Sequence, residues 1–225
     1  MTPPSLAELR DAAEAAGLAL RGGFLLSDAD RVGPLADMRT LVLIGFAGPE
    51  QWPAFAASPE ARDGRADPLD RWSRRVISAM AARLGGKPLF PFEGPPYWPF
   101  QAWPRRAEPV FPSPLGLLIH PRYGLSHSYR GALGFAQDLP LPARADAANP
   151  CETCADKPCL SACPVGAFSL VGYDVDACAA WLRSEGAACR DGGCLARRAC
   201  PVGREFTQSA DQAAFHMAAF LAARA

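Results

Sequence analysis

The sequence predicts an α+β protein in which an amino-terminal α/β domain is followed by a small cysteine-rich module. Residues 1–150 contain no cysteine, whereas all eight cysteines lie between Cys151 and Cys200. The 225 residues are 49% hydrophobic and 20% charged, which is typical of a folded globular chain rather than a disordered one. We expect the α/β domain over residues 1–140, a linker over 141–150, the module over 151–206 and a closing helix over 207–225.

The charge balance argues against several classes of partner. The chain carries 23 basic and 23 acidic side chains, so its formal net charge is zero. A chain without excess positive charge has no electrostatic reason to bind nucleic acid or an anionic membrane. The apolar run at residues 41–48 is far shorter than the ~18 residues that cross a bilayer. Residues 1–17 lack the apolar segment of a secretory signal, so we expect a cytoplasmic protein.

Local patterns predict the first elements of the α/β domain. Ser5 and Glu8 match a capping box, which begins a helix that we expect to end at Gly17. Two apolar runs, at residues 18–26 and 41–47, are bounded by turn-forming residues and predict buried strands.

A second, longer helix is predicted further along the domain. Asp67 is expected to be its N-cap and Pro68 its first residue, because proline is favoured at that position. The helix is expected to end at Gly85. Its apolar stripe has helical spacing and consists of Leu69, Trp72, Val76, Ile77, Met80 and Leu84.

Residues 88–114 differ in character from the rest of the domain. They contain nine prolines and seven aromatic residues. Proline removes a backbone donor and fixes φ, so we expect no regular secondary structure there. The aromatic residues favour an irregular loop packed on the core. The alternative is a wall for a flat cofactor or a partner.

A hairpin is predicted immediately before the cysteines. Residues 115–119 and 126–133 read as two strands, joined by a turn at residues 121–124. The polar side chains on this hairpin are weak candidates for a catalytic site at which electrons leave the protein and protons are supplied: His120, Tyr123, His127 and Arg130. The alternative, which we favour, is a hairpin whose polar side faces solvent.

The cysteines form two runs with a single cysteine between them. The first run, C-x2-C-x4-C-x3-C-P, begins at Cys151, and the second, C-x4-C-x5-C-P, begins at Cys189. Ala-Cys-Pro-Val-Gly closes both runs, at residues 162–166 and 199–203. A repeated Cys-Pro step at the end of a cysteine run is typical of ferredoxins with two [4Fe–4S] clusters. The sequence therefore predicts a ferredoxin-like two-cluster module.

The same pattern predicts which cysteines bind each cluster. In two-cluster ferredoxins, the cysteine before proline ligates the cluster of the other run. The predicted ligands of the first cluster are Cys151, Cys154, Cys159 and Cys200. Those of the second are Cys163, Cys178, Cys189 and Cys194.

The alternative metal is zinc, in a structural module. Zinc sites usually contain two C-x2-C pairs or added histidines. All three histidines of the chain lie outside the cysteine-rich window, at His120, His127 and His216. Iron–sulfur clusters are therefore the favoured interpretation.

The order of hairpin, linker, cysteine run, single cysteine and second cysteine run resembles the epoxyqueuosine reductase family. That family is related to the cobalamin-dependent reductive dehalogenases. Residues 118–124 (LIHPRYG) are similar to the family's hairpin, and Cys178 matches its lone cysteine. The resemblance covers residues 113–205 and implies an amino-terminal cobalamin domain that receives electrons from two clusters.

The chain also departs from the family pattern. Residues 112–116 (PSPLG) stand where the family has a glycine-rich stretch, and the family's aspartate motif has no clear counterpart. In the short segment after Cys200 we expect no equivalent of the helical repeats that hold tRNA in the family.

Our first functional hypothesis is a ferredoxin-like electron-transfer protein. It would deliver single electrons to a partner protein, a small-molecule acceptor or a bound cofactor. The second hypothesis is an enzyme, a compact epoxyqueuosine-reductase-like reductase that depends on a corrinoid such as cobalamin. The third is the zinc-bound structural module. Neither nucleic acid nor membrane is indicated as a partner.

Overall fold

The computed structural model describes residues 3–224, and its chain divides into two compact units. Unit 1 comprises the residues up to Pro109 together with Ser128–Asp146, and unit 2 comprises Val110–His127 together with the residues from Ala147 onward.

The helices, in chain order, are α1 (Leu6–Ala15), α2 (Trp52–Ala56), α3 (Pro68–Leu84), α4 (Trp103–Ala107), α5 (Pro150–Thr153), α6 (Pro158–Ser161), α7 (Val175–Arg183), α8 (Ala187–Gly192), α9 (Leu195–Arg198) and α10 (Ala210–Ala222). The strands are β1 (Ala19–Leu25), β2 (Thr40–Phe46), β3 (Lys87–Leu89), β4 (Phe111–Pro112), β5 (Leu118–Ile119), β6 (Ser128–Phe135), β7 (Phe168–Ser169) and β8 (Gly172–Tyr173).

Unit 1 is built on a four-stranded sheet with the order β1-β2-β6-β3. Each neighbouring pair of strands is antiparallel. Every residue of β2 is buried, which explains why its sequence is an apolar run rather than an alternating pattern. The register of β1 shifts between Leu20 and Gly23, where the paired glycines interrupt the strand. The mixed α+β class predicted from the sequence is confirmed.

The predicted helices of unit 1 are confirmed. α1 begins at the predicted capping box, in which the Ser5 hydroxyl accepts from the Glu8 N–H at 3.2 Å. α3 begins at Pro68 and is followed by its C-cap Gly85, which has a left-handed backbone with φ of 70°. Asp67 occupies the N-cap position, as predicted. Its backbone is left-handed, with φ of 51°, and its side chain makes no capping hydrogen bond.

The proline-rich segment is more regular than predicted. It contains β3, α4 and β4. Pro88 and Pro112 lie in the short strands β3 and β4, Pro104 lies in the first turn of α4, and the other prolines of the segment lie in turns and loops. The predicted packing of its aromatic residues is observed: Phe90 and Trp103 are buried, and the Trp98 ring lies 5.8 Å from that of Trp103.

The predicted hairpin before the cysteines is wrong. β5 pairs with β4, and β6 pairs with β2 and β3, so the two predicted strands belong to different sheets. Residues 110–127 are accordingly part of unit 2, although the sequence places them within the domain at 1–140. Between the strands, His120 and Gly124 form an isolated antiparallel bridge.

Unit 2 consists of short elements connected by tight turns. Asp174 is the N-cap of α7, and its carboxylate accepts from the Ala177 N–H at 2.9 Å. The predicted closing helix is α10, which is capped by the Ser209 hydroxyl and packs against α8. Within residues 3–224, no helix is both long and apolar enough to span a bilayer.

Candidate metal centres

Four cysteines from both runs line one cavity of unit 2. The cavity is lined by Cys151, Cys154, Cys159 and Cys200, together with Lys157 and apolar residues. Cys151 lies in the first turn of α5, where the Asn149 side chain accepts from its N–H at 3.0 Å. Lys157 has a left-handed backbone with φ of 37°, and its Nζ donates to the Cys154 carbonyl at 3.1 Å. This turn accommodates the wider C-x4-C spacing and brings Cys159 to the cavity.

The other four cysteines line a second cavity of unit 2. Its lining contains Cys163, Cys178, Cys189 and Cys194. Cys178 lies on α7, Cys189 lies on α8, and Cys194 immediately precedes α9. The two linings contain the two sets of cysteines named in the sequence analysis, and their pairing in clusters stays a prediction. We call the two sets the first and the second quartet.

Each cavity has four thiols, the number of ligands that one cubane cluster uses. A structural zinc site can also use four cysteines. A cubane cluster places its four thiolates around a larger body. Two cavities with four thiols each therefore fit the donor set of two such clusters.

Burial and neighbouring thiols raise the pKa of several of these cysteines. For Cys151 the main cause is burial, followed by the charges of Cys200, Cys159 and Cys154. Burial also raises the pKa of Cys159, Cys178 and Cys194. Thiolates within one quartet repel one another, so a bound cation would favour their deprotonated form.

Donors around the sulfurs oppose this effect. The Ala167 N–H donates to the Cys163 Sγ at 3.3 Å. The N–H groups of Ala196 and Arg197 favour the thiolate of Cys194 and lower its pKa. The Tyr173 hydroxyl has the same effect on Cys178, and its ring stacks on Phe168 at 4.4 Å. Hydrogen bonds to ligand sulfur are among the features that tune cluster potentials.

A larger cleft of unit 2 is lined by one cysteine from each quartet. It encloses about 540 Å³, and its lining includes Cys194, Cys200 and Arg197. The Nε of Arg197 donates to the Leu125 carbonyl at 3.0 Å, and its second terminal nitrogen donates to the same oxygen. Burial lowers the pKa of Arg197, and the neighbouring Cys194 raises it.

The candidate residues His120 and Tyr123 lie in a loop that packs on the end of the second cysteine run. The Nδ1 of His120 accepts from the N–H groups of Arg122 and Tyr123, at 3.0 and 3.3 Å. The Tyr123 ring lies 4.9 Å from that of Phe206. Gly124 allows this packing, because a Cβ there would lie only 2.0 Å from the Val202 carbonyl oxygen.

The other two candidates of the predicted hairpin fall in different units. His127 belongs to unit 2, where its Nε2 lies 3.0 Å from the Leu118 carbonyl oxygen. Arg130 belongs to unit 1, where it is bound to Asp70 and donates to the Ser73 hydroxyl at 3.1 Å. The structure therefore brings His120, Tyr123 and His127 into one segment, and it gives Arg130 a partner on α3.

Sequence reasoning missed several residues around the quartets. The left-handed turn at Lys157 and the contact of Tyr173 with Cys178 were not predicted. Neither was the contact between Arg197 and Leu125, which are separated by 72 positions. The lysine turn had a local signal, since the widened cysteine spacing requires a bulge. The other two contacts depend on tertiary packing and had none.

Comparison with known proteins gives a fold and no sequence family. No family model matches the chain, and no curated protein matches it. Among solved structures, it is similar to an epoxyqueuosine reductase in complex with an epoxyqueuosine-modified tRNA-Tyr stem loop. The TM-score is 0.50 at 15% identity, over 91% of this chain and 66% of that one. The chain has the fold of the epoxyqueuosine reductases.

Two further epoxyqueuosine reductase structures are similar to it. The enzyme from Bacillus subtilis, with its catalytic aspartate loop swung out of the active site, has a TM-score of 0.50 at 15% identity, over 92% of this chain and 69% of that one. A selenomethionine-labelled epoxyqueuosine reductase has a TM-score of 0.49 at 15% identity, over 95% of this chain and 65% of that one. The chain thus spans about two thirds of the length of these enzymes. At the level of the fold, the resemblance seen in the sequence is confirmed.

Proposed function

We propose that this chain is an iron–sulfur reductase of the epoxyqueuosine-reductase type, in which unit 2 holds two [4Fe–4S] clusters. The observation that carries the proposal is the division of eight cysteines into two cavities with four thiols each. Eight thiolates are the number that two cubane clusters require. The similarity of the fold to epoxyqueuosine reductases supports a reductase as the class of protein.

In this proposal, the residues of unit 2 bind the clusters and set their surroundings. Cys151, Cys154, Cys159 and Cys200 would hold the first cluster, and Cys163, Cys178, Cys189 and Cys194 the second. Each cluster, when bound, stores and releases one electron at a time. Apolar side chains such as Ile119 and Leu182, which line the cavities, keep water from the thiolates.

The first experiment measures iron, acid-labile sulfide and zinc in the anaerobically purified full chain. We expect about eight iron and about eight sulfide per chain, as two [4Fe–4S] clusters require. Zinc near two per chain without sulfide would overturn the proposal in favour of a structural zinc module.

Paired serine variants test which cysteines share a cluster. If the proposed sets are correct, Cys163→Ser/Cys178→Ser removes ligands of one cluster only, and about four iron per chain remain. Cys163→Ser/Cys151→Ser has the same number of substitutions but removes a ligand from both clusters, so little iron remains. If Cys163 instead completed the set of its own run, the two double variants would give the opposite results.

A second candidate is an electron carrier without a substrate of its own. It is favoured by the contacts of the polar candidates, because His120 Nδ1 accepts from two backbone N–H groups and Arg130 is bound to Asp70. The two functions differ in what the loaded protein does. The reductase proposal predicts reduction of an epoxyqueuosine-modified tRNA stem loop, the RNA present in one similar structure, whereas a carrier leaves it unchanged.

The same measurement tests one expectation from the sequence. Zero net charge argues against nucleic acid as a partner, so turnover of the stem loop would overturn that expectation.

Cobalamin binding is a separate expectation, which rests on the family resemblance. An equilibrium titration of the full chain with cobalamin would measure it.

A further inference from the structure

Arg197 connects the two quartets through its backbone. It lies three residues after Cys194 and three residues before Cys200, so a ligand of each quartet flanks it at the same separation. Its N–H favours the thiolate of Cys194, and its carbonyl oxygen accepts from the Cys200 N–H at 3.3 Å. The position of its backbone is therefore coupled to both quartets.

The side chain of Arg197 is fixed inside the unit. Two of its nitrogens donate to the Leu125 carbonyl, which belongs to a segment 72 positions earlier in the chain. Arg197 lines the same cleft as Cys194 of the second quartet and Cys200 of the first. A guanidinium keeps its proton at neutral pH, so Arg197 brings a permanent positive charge to this cleft.

The neighbouring Arg198 provides a natural comparison. It lines the same cleft but is exposed, and its Nη1 donates to the Gly192 carbonyl at 3.1 Å. Water and salt screen an exposed charge much more than a partly buried one. Two adjacent arginines of the same formal charge thus differ in how strongly each one acts on the quartets.

We infer that Arg197 raises the reduction potentials of both proposed clusters and so controls how readily unit 2 accepts electrons. The inference rests on the proposed function, because it requires clusters in the two quartets. A one-electron reduction makes a cluster more negative by one charge, and a nearby fixed cation stabilises that state. Arg197 touches no substrate in this role and acts through the clusters alone.

The test is a potentiometric titration of the anaerobic full chain, followed by electron paramagnetic resonance. The variants are Arg197→Gln, which removes the charge but keeps a donor for Leu125, and Arg197→Lys, which keeps the charge. Arg198→Gln is the matched control. Iron and sulfide are counted in each sample before the titration, so that the potentials refer to fully loaded protein.

We expect Arg197→Gln to lower the midpoint potentials, with the larger shift at the cluster held by Cys194. Arg197→Lys should shift them less, and Arg198→Gln should shift them least. Shifts in Arg197→Gln no larger than those in Arg198→Gln would overturn the inference. If Arg197→Gln does not load clusters, Arg197→Lys takes its place in the test. Midpoint potentials of Arg197→Lys at or below those of Arg198→Gln would then overturn the inference. Absence of iron and sulfide from the unsubstituted chain would instead refute the proposed function.

Discussion

The two units of the chain are stabilised in different ways. Unit 1 has a four-stranded sheet and a large apolar core, with ten buried residues in one cluster: Phe24, Leu26, Leu35, Met38, Leu41, Leu43, Leu89, Trp103, Ala107 and Ala132. The main buried cluster of unit 2 is Leu115, Ile119, Leu125 and Ala196, and five of the residues packed against it are cysteines: Cys151, Cys159, Cys163, Cys194 and Cys200. Unit 2 therefore has far less apolar surface to bury.

This difference indicates where each unit obtains its stability. Burial of apolar surface is the dominant favourable contribution to folding, and unit 1 has enough of it in its sheet and helices. A small unit with a minimal apolar core usually depends on disulfides or metal. None of the eight cysteines forms a disulfide. The proposed clusters are therefore expected to provide this stabilisation in unit 2.

Removal of the clusters is expected to have the largest effect, and it should be confined to unit 2. Treatment of the loaded chain with a chelator and an oxidant removes the iron. Because metal-binding free energy contributes directly to folding, backbone amides from residue 151 to 200 should then lose protection from hydrogen exchange. Amides of β2 should keep theirs, since every residue of that strand is buried in the sheet of unit 1.

The buffer-treated, iron-loaded chain is the control for this exchange experiment. Equal loss of protection in β2 and in the cysteine-rich segment would contradict the comparison, because it would mean that unit 1 also depends on the metal. Unchanged protection in both would show that unit 2 folds on its apolar contacts alone.

A truncation in the core of unit 1 is expected to have the next largest effect. Leu43 lies on β2 and is 0% exposed, so Leu43→Ala should reduce the free energy of unfolding by about 2–5 kcal/mol. Leu25→Ala, on the neighbouring β1, is the control, because Leu25 is 52% exposed. Urea denaturation monitored by tryptophan fluorescence measures both. A cost for Leu43→Ala as small as that of the control would refute the assignment of the core.

In unit 2, one close backbone approach leaves no room for an added methyl group. Gly124 has φ of 55°, and a Cβ would lie 2.0 Å from the Val202 carbonyl oxygen. Gly124→Ala should therefore destabilise the unit by more than about 1 kcal/mol. Gly116→Ala is a matched control, since Gly116 has φ of 72° but no heavy atom within 4 Å of an added Cβ.

The Gly116 variant isolates the cost of the left-handed backbone from the cost of the collision. Thermal unfolding of the loaded protein compares the two variants directly. Equal destabilisation by both would mean that the packing of residues 120–124 on residues 202–206 contributes nothing to unit 2.

Local chemistry made parts of the fold predictable from the sequence. The cap at Ser5 depends on a side chain and an N–H group three residues away, so a short window of sequence contains both partners. At Asp67, which has a left-handed backbone, the side chain makes no capping hydrogen bond. A cap requires an extended backbone as well as a suitable side chain.

Strand pairing was less predictable, since it depends on partners far apart in the chain. β5 has only two residues, and nothing in its own sequence distinguishes β4 from β6 as its partner. The two cysteine sets, by contrast, could be predicted from spacing alone, and they line two separate cavities. A four-thiolate cluster restricts the allowed spacings much more strongly than a sheet restricts the order of its strands.

The smallest effect is expected from an ion pair at the surface of unit 1. Arg106 donates to both carboxylate oxygens of Asp30, at 2.9 and 3.0 Å, and these hydrogen bonds lower the pKa of Asp30 from 3.8 to about 2. A lowered carboxyl pKa gives stability that is present above the unfolded-state value and is lost as the pH falls through the folded-state value. The pair is partly exposed, so Asp30→Asn should cost below about 1 kcal/mol at pH 7 and flatten the loss of stability between about pH 4 and 2. Asp11→Asn, at an exposed position of α1, is the control, and urea denaturation at each pH measures both. An unchanged slope in Asp30→Asn would show that solvent screens the pair completely.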